Sequence, residues 1–193
     1  GSFLDGTFGF TVIDFDGNFL VNDYRMTFDV EWEDYTIGTE LDQMTIDGNV
    51  RQTVEVTPTS TDASASISRL AFTTFDDTVT AIGVETVFNV DSATGTYESA
   101  SAGVVDSERF GAYTVSTPVP LMGTISDPYP FAGEKLIVAE DGSSVRFIVL
   151  DASLVRLEID ADGDGALDEV REVSWEEFYE AASAMEAETG TVG

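Results

Sequence analysis

The sequence predicts a mainly β domain, an antiparallel meander curled into a barrel or half-barrel and followed by one C-terminal helix. Three observations carry this. Within residues 19–33, Tyr24, Met26, Phe28, Val30 and Trp32 alternate strictly with Arg25, Thr27, Asp29, Glu31 and Glu33, the period of a half-buried strand. Asp-Gly dipeptides, which tolerate the positive φ angles of tight hairpin turns, recur between strand-like runs. Several of those runs are long, which favours a strongly twisted, curled sheet; a sandwich of two sheets is the alternative.

In chain order, strand-like runs fall at 6–14, 19–33, 43–57, 63–75, 79–90, 109–116, 134–140, 143–150, 153–159 and 167–173. Asp16-Gly17, Asp47-Gly48 and Asp141-Gly142 are expected to turn the chain between neighbours. The stretch from Thr117 to Gly133 holds four of the five prolines, which cannot donate to a central ladder, so it reads as a linker or edge crossing. The expectation is one domain over 1–193, divisible into a long-stranded meander (3–116) and a unit of hairpins plus helix (131–187) joined by the Pro-rich 117–130. Leu136, Ile137 and Val138, then Phe147 to Leu150, are apolar at both parities, as in strands buried on two faces, and place the denser core there. Ser174 with Glu177 forms a capping box, and Trp175, Phe178, Ala182 and Met185 follow at helical spacing. Glu176 and Glu177 suit the positive end of that helix, whose residues from Glu188 onward are expected to fray.

Composition narrows the chemistry. The 193 residues contain no cysteine, no histidine and a single lysine, Lys135. Disulfides, thiolate metal sites, a cysteine nucleophile and a Ser-His-Asp triad are therefore excluded. With 37 acidic against 8 basic residues the formal charge is −29, a field that repels nucleic acid and anionic lipid and attracts cations. A carboxylate-rich surface is also a plain solubility device in salty surroundings. No run of eighteen apolar residues is present, so no transmembrane segment is expected. Gly1-Ser2 has the form of a cloning scar, ahead of which a signal peptide or lipid anchor is an open expectation.

Residues 160–168 carry the sharpest motif: Asp160-Ala161-Asp162-Gly163-Asp164-Gly165-Ala166-Leu167-Asp168. Carboxylates at alternate positions in a tight glycine-bearing loop turn successive oxygens toward one centre, and Ca²⁺ takes six to eight oxygens at about 2.3–2.6 Å. Calcium suits a flexible loop of this kind better than magnesium, which keeps its waters. Asp160, Asp162 and Asp164 match EF-hand loop positions one, three and five, with Gly165 at six and the Ala166 carbonyl at seven. The match ends there, because position twelve holds Arg171 instead of glutamate and both flanks read as strands. In its short form, with Asp168 at position nine, the loop resembles the calcium loops in β-hairpins of integrin α-subunit propellers, and more distantly those of dockerins and thrombospondin type 3 repeats. The resemblance spans nine residues and implies a ligand set of Asp160, Asp162, Asp164, the Ala166 carbonyl and Asp168. Residues 143–175 also look like the C-terminal part of secreted or lipoprotein β domains of Gram-negative bacteria. An ordinary solvated Asp-Gly turn is the plainer alternative. Asp14, Asp16 and Asn18 alternate similarly around Gly17, but no later carboxylate completes a shell, and a hairpin turn accounts for them.

The expected function is a non-enzymatic, calcium-stabilised binding or structural module that works outside the cytoplasm, periplasmic, outer-membrane-anchored or secreted, with calcium and a protein or envelope component as partners. An alternative is a barrel-type carrier of an apolar ligand or lipid, lined by the aromatic face of residues 24–32. A carboxylate-pair hydrolase drawn from Glu31, Trp32, Glu33, Asp34 and Tyr35 is the third reading. Among 37 acidic residues such groupings arise by coincidence, and it ranks last.

Overall fold

A computed structural model describes residues 3–39, 43–74 and 77–180. Eleven strands form one antiparallel sheet in strict sequential order: β1 (Phe3–Asn18), β2 (Asp23–Gly38), β3 (Gln43–Val56), β4 (Ser60–Thr73), β5 (Thr78–Asp91), β6 (Thr96–Ser107), β7 (Gly111–Thr124), β8 (Ala132–Ala139), β9 (Ser144–Val149), β10 (Leu154–Asp160) and β11 (Glu169–Ser174). A helical turn, α1, covers residues 175–180. The sheet curls like a half-barrel and stays open, with β1 and β11 as its two edges. Ala182, Met185 and the fraying expected from Glu188 lie outside the described residues.

Alternation decides the two faces. Tyr24, Met26, Phe28, Val30 and Trp32 share one face of β2, and the register carries it across the sheet as Phe10 beside Val30 beside Val50. The opposite face is polar: Arg51 grips Asp29 with Nε–Oδ1 and Nη2–Oδ2 both at 2.7 Å, and Thr27 meets Thr53 at 3.0 Å. The Arg51–Asp29 pair lies at the surface, where solvent screens it, whereas the Thr27–Thr53 contact is partly buried. The hydrogen-bonded ion pair with Arg51 holds the Asp29 carboxyl below the usual range.

Side-chain-capped turns close several hairpins. Asp141 Oδ1 accepts from the Ser143 hydroxyl and N–H, and Asp151 Oδ1 accepts from the Ser153 hydroxyl and N–H and from Leu154 N–H. Asp91 Oδ1 accepts from the Ala93 and Thr94 N–H groups. Each bond favours the ionised acid, so all three carboxyls titrate below the ordinary aspartate value of 3.8. A depressed folded pKa gives stability that is complete above the unfolded value and is lost as the pH falls through the folded one. Asp151→Asn is therefore expected to change the melting temperature little below that window and to flatten its acid limb, read by thermal denaturation between pH 2 and 7.

Four expectations are corrected. Asp47-Gly48 is no turn; it lies inside β3, with Gly48 opposite Trp32 on β2 and Leu70 on β4. Its φ of 132° is the glycine region, and a Cβ there would stand 2.2 Å from the Arg69 carbonyl oxygen, so the dipeptide marks a close strand approach beside a register shift. Gly48→Ala is expected to cost about 2 kcal/mol or more, measured by urea unfolding. The run expected from residue 19 starts at Asp23, because Phe19–Val21 form a 3₁₀ turn capped by Asn18 Oδ1 on Leu20 N–H; for the same reason Asp16-Gly17 is no turn but pairs with Arg25 and Tyr24 inside the ladder. β6 was absent from the expected runs, since Ser99-Ala-Ser-Ala-Gly103 offers neither β-branched nor aromatic residues. It forms because small side chains allow close pairing: a Cβ on Gly103 would sit 2.5 Å from Val84 Cγ2. Finally, 117–124 continues β7 instead of linking units, with Pro118 and Pro120 at register shifts against both neighbours; Pro128 and Pro130 lie in the following loop.

Close packing gathers at the C-terminal end, where the sequence placed it. Val155 is fully buried, Val149 and Trp175 nearly so, and Leu121, Tyr129, Phe147 and Phe178 pack around them. Trp175 stacks on Tyr129 with centroids 5.5 Å apart at 11°, and meets Phe178 edge-on at 6.1 Å. The capping box forms: Glu177 Oε2 accepts from Ser174 N–H at 2.9 Å and Ser174 Oγ accepts from Glu177 N–H at 3.1 Å. These bonds lower the Glu177 carboxyl from its ordinary value.

Candidate metal centre

Strand β10 delivers Asp160 at its last position, where the residue is 7% exposed, and β11 resumes at Glu169. Burial of a carboxylate requires partners, and the loop supplies them: Oδ1 accepts from Gly163 N–H at 2.8 Å and Oδ2 from Gly165 N–H at 2.9 Å. The loop thus folds around Asp160. Both glycines adopt left-handed backbone, φ 74° and 86°, which lets successive N–H groups point inward.

Asp168 closes the far side. Its N–H donates to the Ile159 carbonyl at 2.9 Å, continuing the hairpin, while Oδ2 accepts from Ala161 N–H at 2.7 Å. Asp160, Asp162 and Asp168 each present an oxygen within 4.8 Å of the others'. Asp164 stands outside this triad; its Oδ1 accepts from Ala166 N–H at 2.7 Å, and Asp162 Oδ1 accepts from Asp164 N–H at 3.2 Å. Ala166 enters the bonding through that N–H. Of the five residues expected to hold a cation, the fold gathers the carboxylates of three.

The loop is also braced from outside. Gly163 lies against the β8–β9 turn so closely that a Cβ would meet the Gly142 carbonyl carbon at 2.7 Å and the Asp141 carbonyl oxygen at 2.8 Å. Nothing in the local motif announces this contact or the burial of Asp160. The signal lies in the hairpin order, since β8–β9 and β10–β11 connections of a meander emerge at the same end of the sheet.

Three convergent carboxylates, each oxygen keeping a further lone pair beside its N–H bond, make an all-oxygen, anionic donor set of the kind hard divalent cations take. Elsewhere the expected alternatives separate. Asp14 and Asp16 lie along β1 opposite Thr27 and Arg25, and Asn18 caps the 3₁₀ turn. Glu31 and Glu33 occupy the polar face of β2, opposite to Trp32. Compared with known proteins, the chain matches no family model, no curated protein and no solved structure.

Proposed function

We propose that this chain is a calcium-stabilised, non-enzymatic binding or structural module that works outside the cytoplasm. The observation that carries the reading is the buried Asp160 carboxylate, wrapped by its own loop and joined by Asp162 and Asp168 within 4.8 Å. Three like charges at that spacing repel, and a divalent cation turns that repulsion into the attraction that pins β10 to β11. The likeness to short integrin-type loops adds Asp164 and the Ala166 carbonyl as ligands on the loop's other side. A net charge of −29 sits comfortably with a saline, calcium-rich exterior.

The test is a melting curve in chelator and in millimolar calcium, with magnesium as control. At a calcium concentration near 100 times Kd, binding contributes about 2.7 kcal/mol, a rise of roughly 5–10 °C for a domain of this size. Asp162→Ala combined with Asp164→Ala is expected to abolish the rise. Equal curves in chelator and calcium would reduce the motif to a turn.

A carrier reading draws on a different observation, the uncovered apolar face on which Phe8, Phe10 and Phe15 remain 55%, 51% and 42% exposed. Lipid recovered by solvent extraction of the purified protein would favour it. The hydrolase reading lacks its geometry, because the ring that would stack a sugar, Trp32, faces away from Glu31 and Glu33.

A further inference from the structure

Strand β1 is an unusual edge. It is 16 residues long, and the described residues place no strand on its outer side. Residues 3–18 include Asp5, Asp14 and Asp16 but neither lysine nor arginine, the residues that most often blunt a free edge. Its register with β2 shifts between Asp5 and Thr7 and again between Val12 and Asp14, bulges that with the three aspartates guard the ends of the edge, and between them runs an unguarded, uncharged and regular segment, Thr7-Phe8-Gly9-Phe10-Thr11-Val12. Phe8, Phe10 and Val12 on its apolar side are 55%, 51% and 50% exposed. The opposite edge is protected by contrast: β11 has six residues, three of them charged, with Arg171 bound to Glu169.

We infer that β1 pairs edge to edge with β1 of a second copy, giving a two-fold symmetric dimer and one continuous sheet. Length selects the partner. A strand of 16 residues is matched by another β1 and not by the six of β11, so the contact closes on itself instead of propagating. Side-chain parity selects the register. Antiparallel pairing with Phe10 opposite Phe10, or Gly9 opposite Gly9, keeps the apolar face continuous across the junction. Counted along the strand, these registers also keep aspartate away from aspartate. A slip of one residue between them would set Asp5 opposite Asp14 and bring the apolar face of one copy beside the polar face of the other. Size favours the Phe10 register, which pairs residues 3–17 along an edge of about 50 Å and at a sheet thickness of about 10 Å covers about 500 Å² per copy, against about 430 Å² for the shorter overlap of the Gly9 register. The total of about 1,000 Å² meets what a specific interface needs. Charge opposes association, since each copy carries −29, so the dimer is expected to strengthen with salt as the repulsion is screened.

The inference is independent of the calcium loop, which lies at the other end of the strand order. Sedimentation velocity at tens of micromolar protein, in chelator and in calcium, is expected to show twice the 20.8 kDa protomer mass in both, with a larger dimer fraction in about 0.5 M NaCl than in low salt. Phe10→Asp, which sets two carboxylates across the axis, is expected to be monomeric. The chain has no cysteine, so single substitutions report the contact directly. On mild oxidation, Gly9→Cys or Phe10→Cys, whichever faces its own copy, is expected to cross-link, while Arg171→Cys on the opposite edge is not. Gly9 tolerates the change, because a Cβ there meets Glu31 Cβ at an ordinary 3.6 Å. A wild type that stays monomeric at every salt concentration, species that grow beyond the dimer, or cross-linking through Arg171→Cys alone would overturn the inference. So would a monomer carrying lipid on the same strands. A dimer unaffected by calcium, with no calcium-dependent melting, would leave this inference standing and remove the metal reading.

Discussion

Trp175→Ala is expected to lower stability by about 3–5 kcal/mol, the largest effect of any single substitution in this chain. Few apolar residues of the described chain are buried, and Trp175 is the largest of them. From α1, where it also meets Phe178, it ties together β9 and β10 through Val149 and Val155 and the loop after β7 through Tyr129. Truncation opens a cavity that the surrounding strands cannot fill, because they are held by ladder bonds on both sides. Urea unfolding followed by far-UV circular dichroism measures the loss. Trp175→Phe is the informative companion. Among the described residues no acceptor reaches the buried Trp175 Nε1, so phenylalanine keeps ring burial while removing an unsatisfied donor. Its cost is expected to stay below about 1.5 kcal/mol. A loss as large as that of alanine would mean that the indole nitrogen has a partner in solution.

The second large effect is expected at Asp160. Its carboxylate is buried and accepts two loop N–H groups, so Asp160→Ala orphans both and removes the centre around which the loop is organised. Charge-assisted hydrogen bonds of this kind are worth about 1.5–3 kcal/mol, and a loss of about 3 kcal/mol is expected even in chelator. Asp164→Ala removes an exposed turn bond and is expected to cost under about 1 kcal/mol in chelator. The contrast separates scaffold from ligand. In calcium, Asp160→Ala should show no stabilisation at all, whereas any calcium response kept by Asp164→Ala measures how far that side chain serves as a ligand. Equal losses for the two variants in chelator would show that the loop is not built around Asp160.

Much of this arrangement was readable from residues, and the failures have a common cause. Alternation in β2, the Asp141-Gly142 turn and the Ser174–Glu177 capping box are local signals, and each appears where expected. Strand β6 escaped because alanine, serine and glycine carry no periodic signal; its identity as a strand comes from what lies beside it. Asp47-Gly48 misled because the same dipeptide serves a tight turn and a close strand approach, and only the neighbouring Arg69 carbonyl distinguishes them. At the metal centre the spacing of aspartates was plain in the sequence. That Asp160 is the buried hub, with Asp162 and Asp168 facing it and Asp164 turned to Ala166, depends on how nine residues bend together.

The strand order also bears on how the chain reaches its folded form. Every strand pairs only with its neighbours in sequence, so no step requires distant segments to find each other, and assembly can spread by adding one hairpin at a time. The cluster that packs tightly, however, draws on residues from Leu121 to Phe178, all of them synthesised after β1 to β6. Strands β1 to β6 therefore leave the ribosome before the segment that anchors the sheet exists. Hydrogen exchange along the finished sheet should fall in a gradient, fastest in β1 and slowest in β9 and β10, with the order of protection opposite to the order of synthesis.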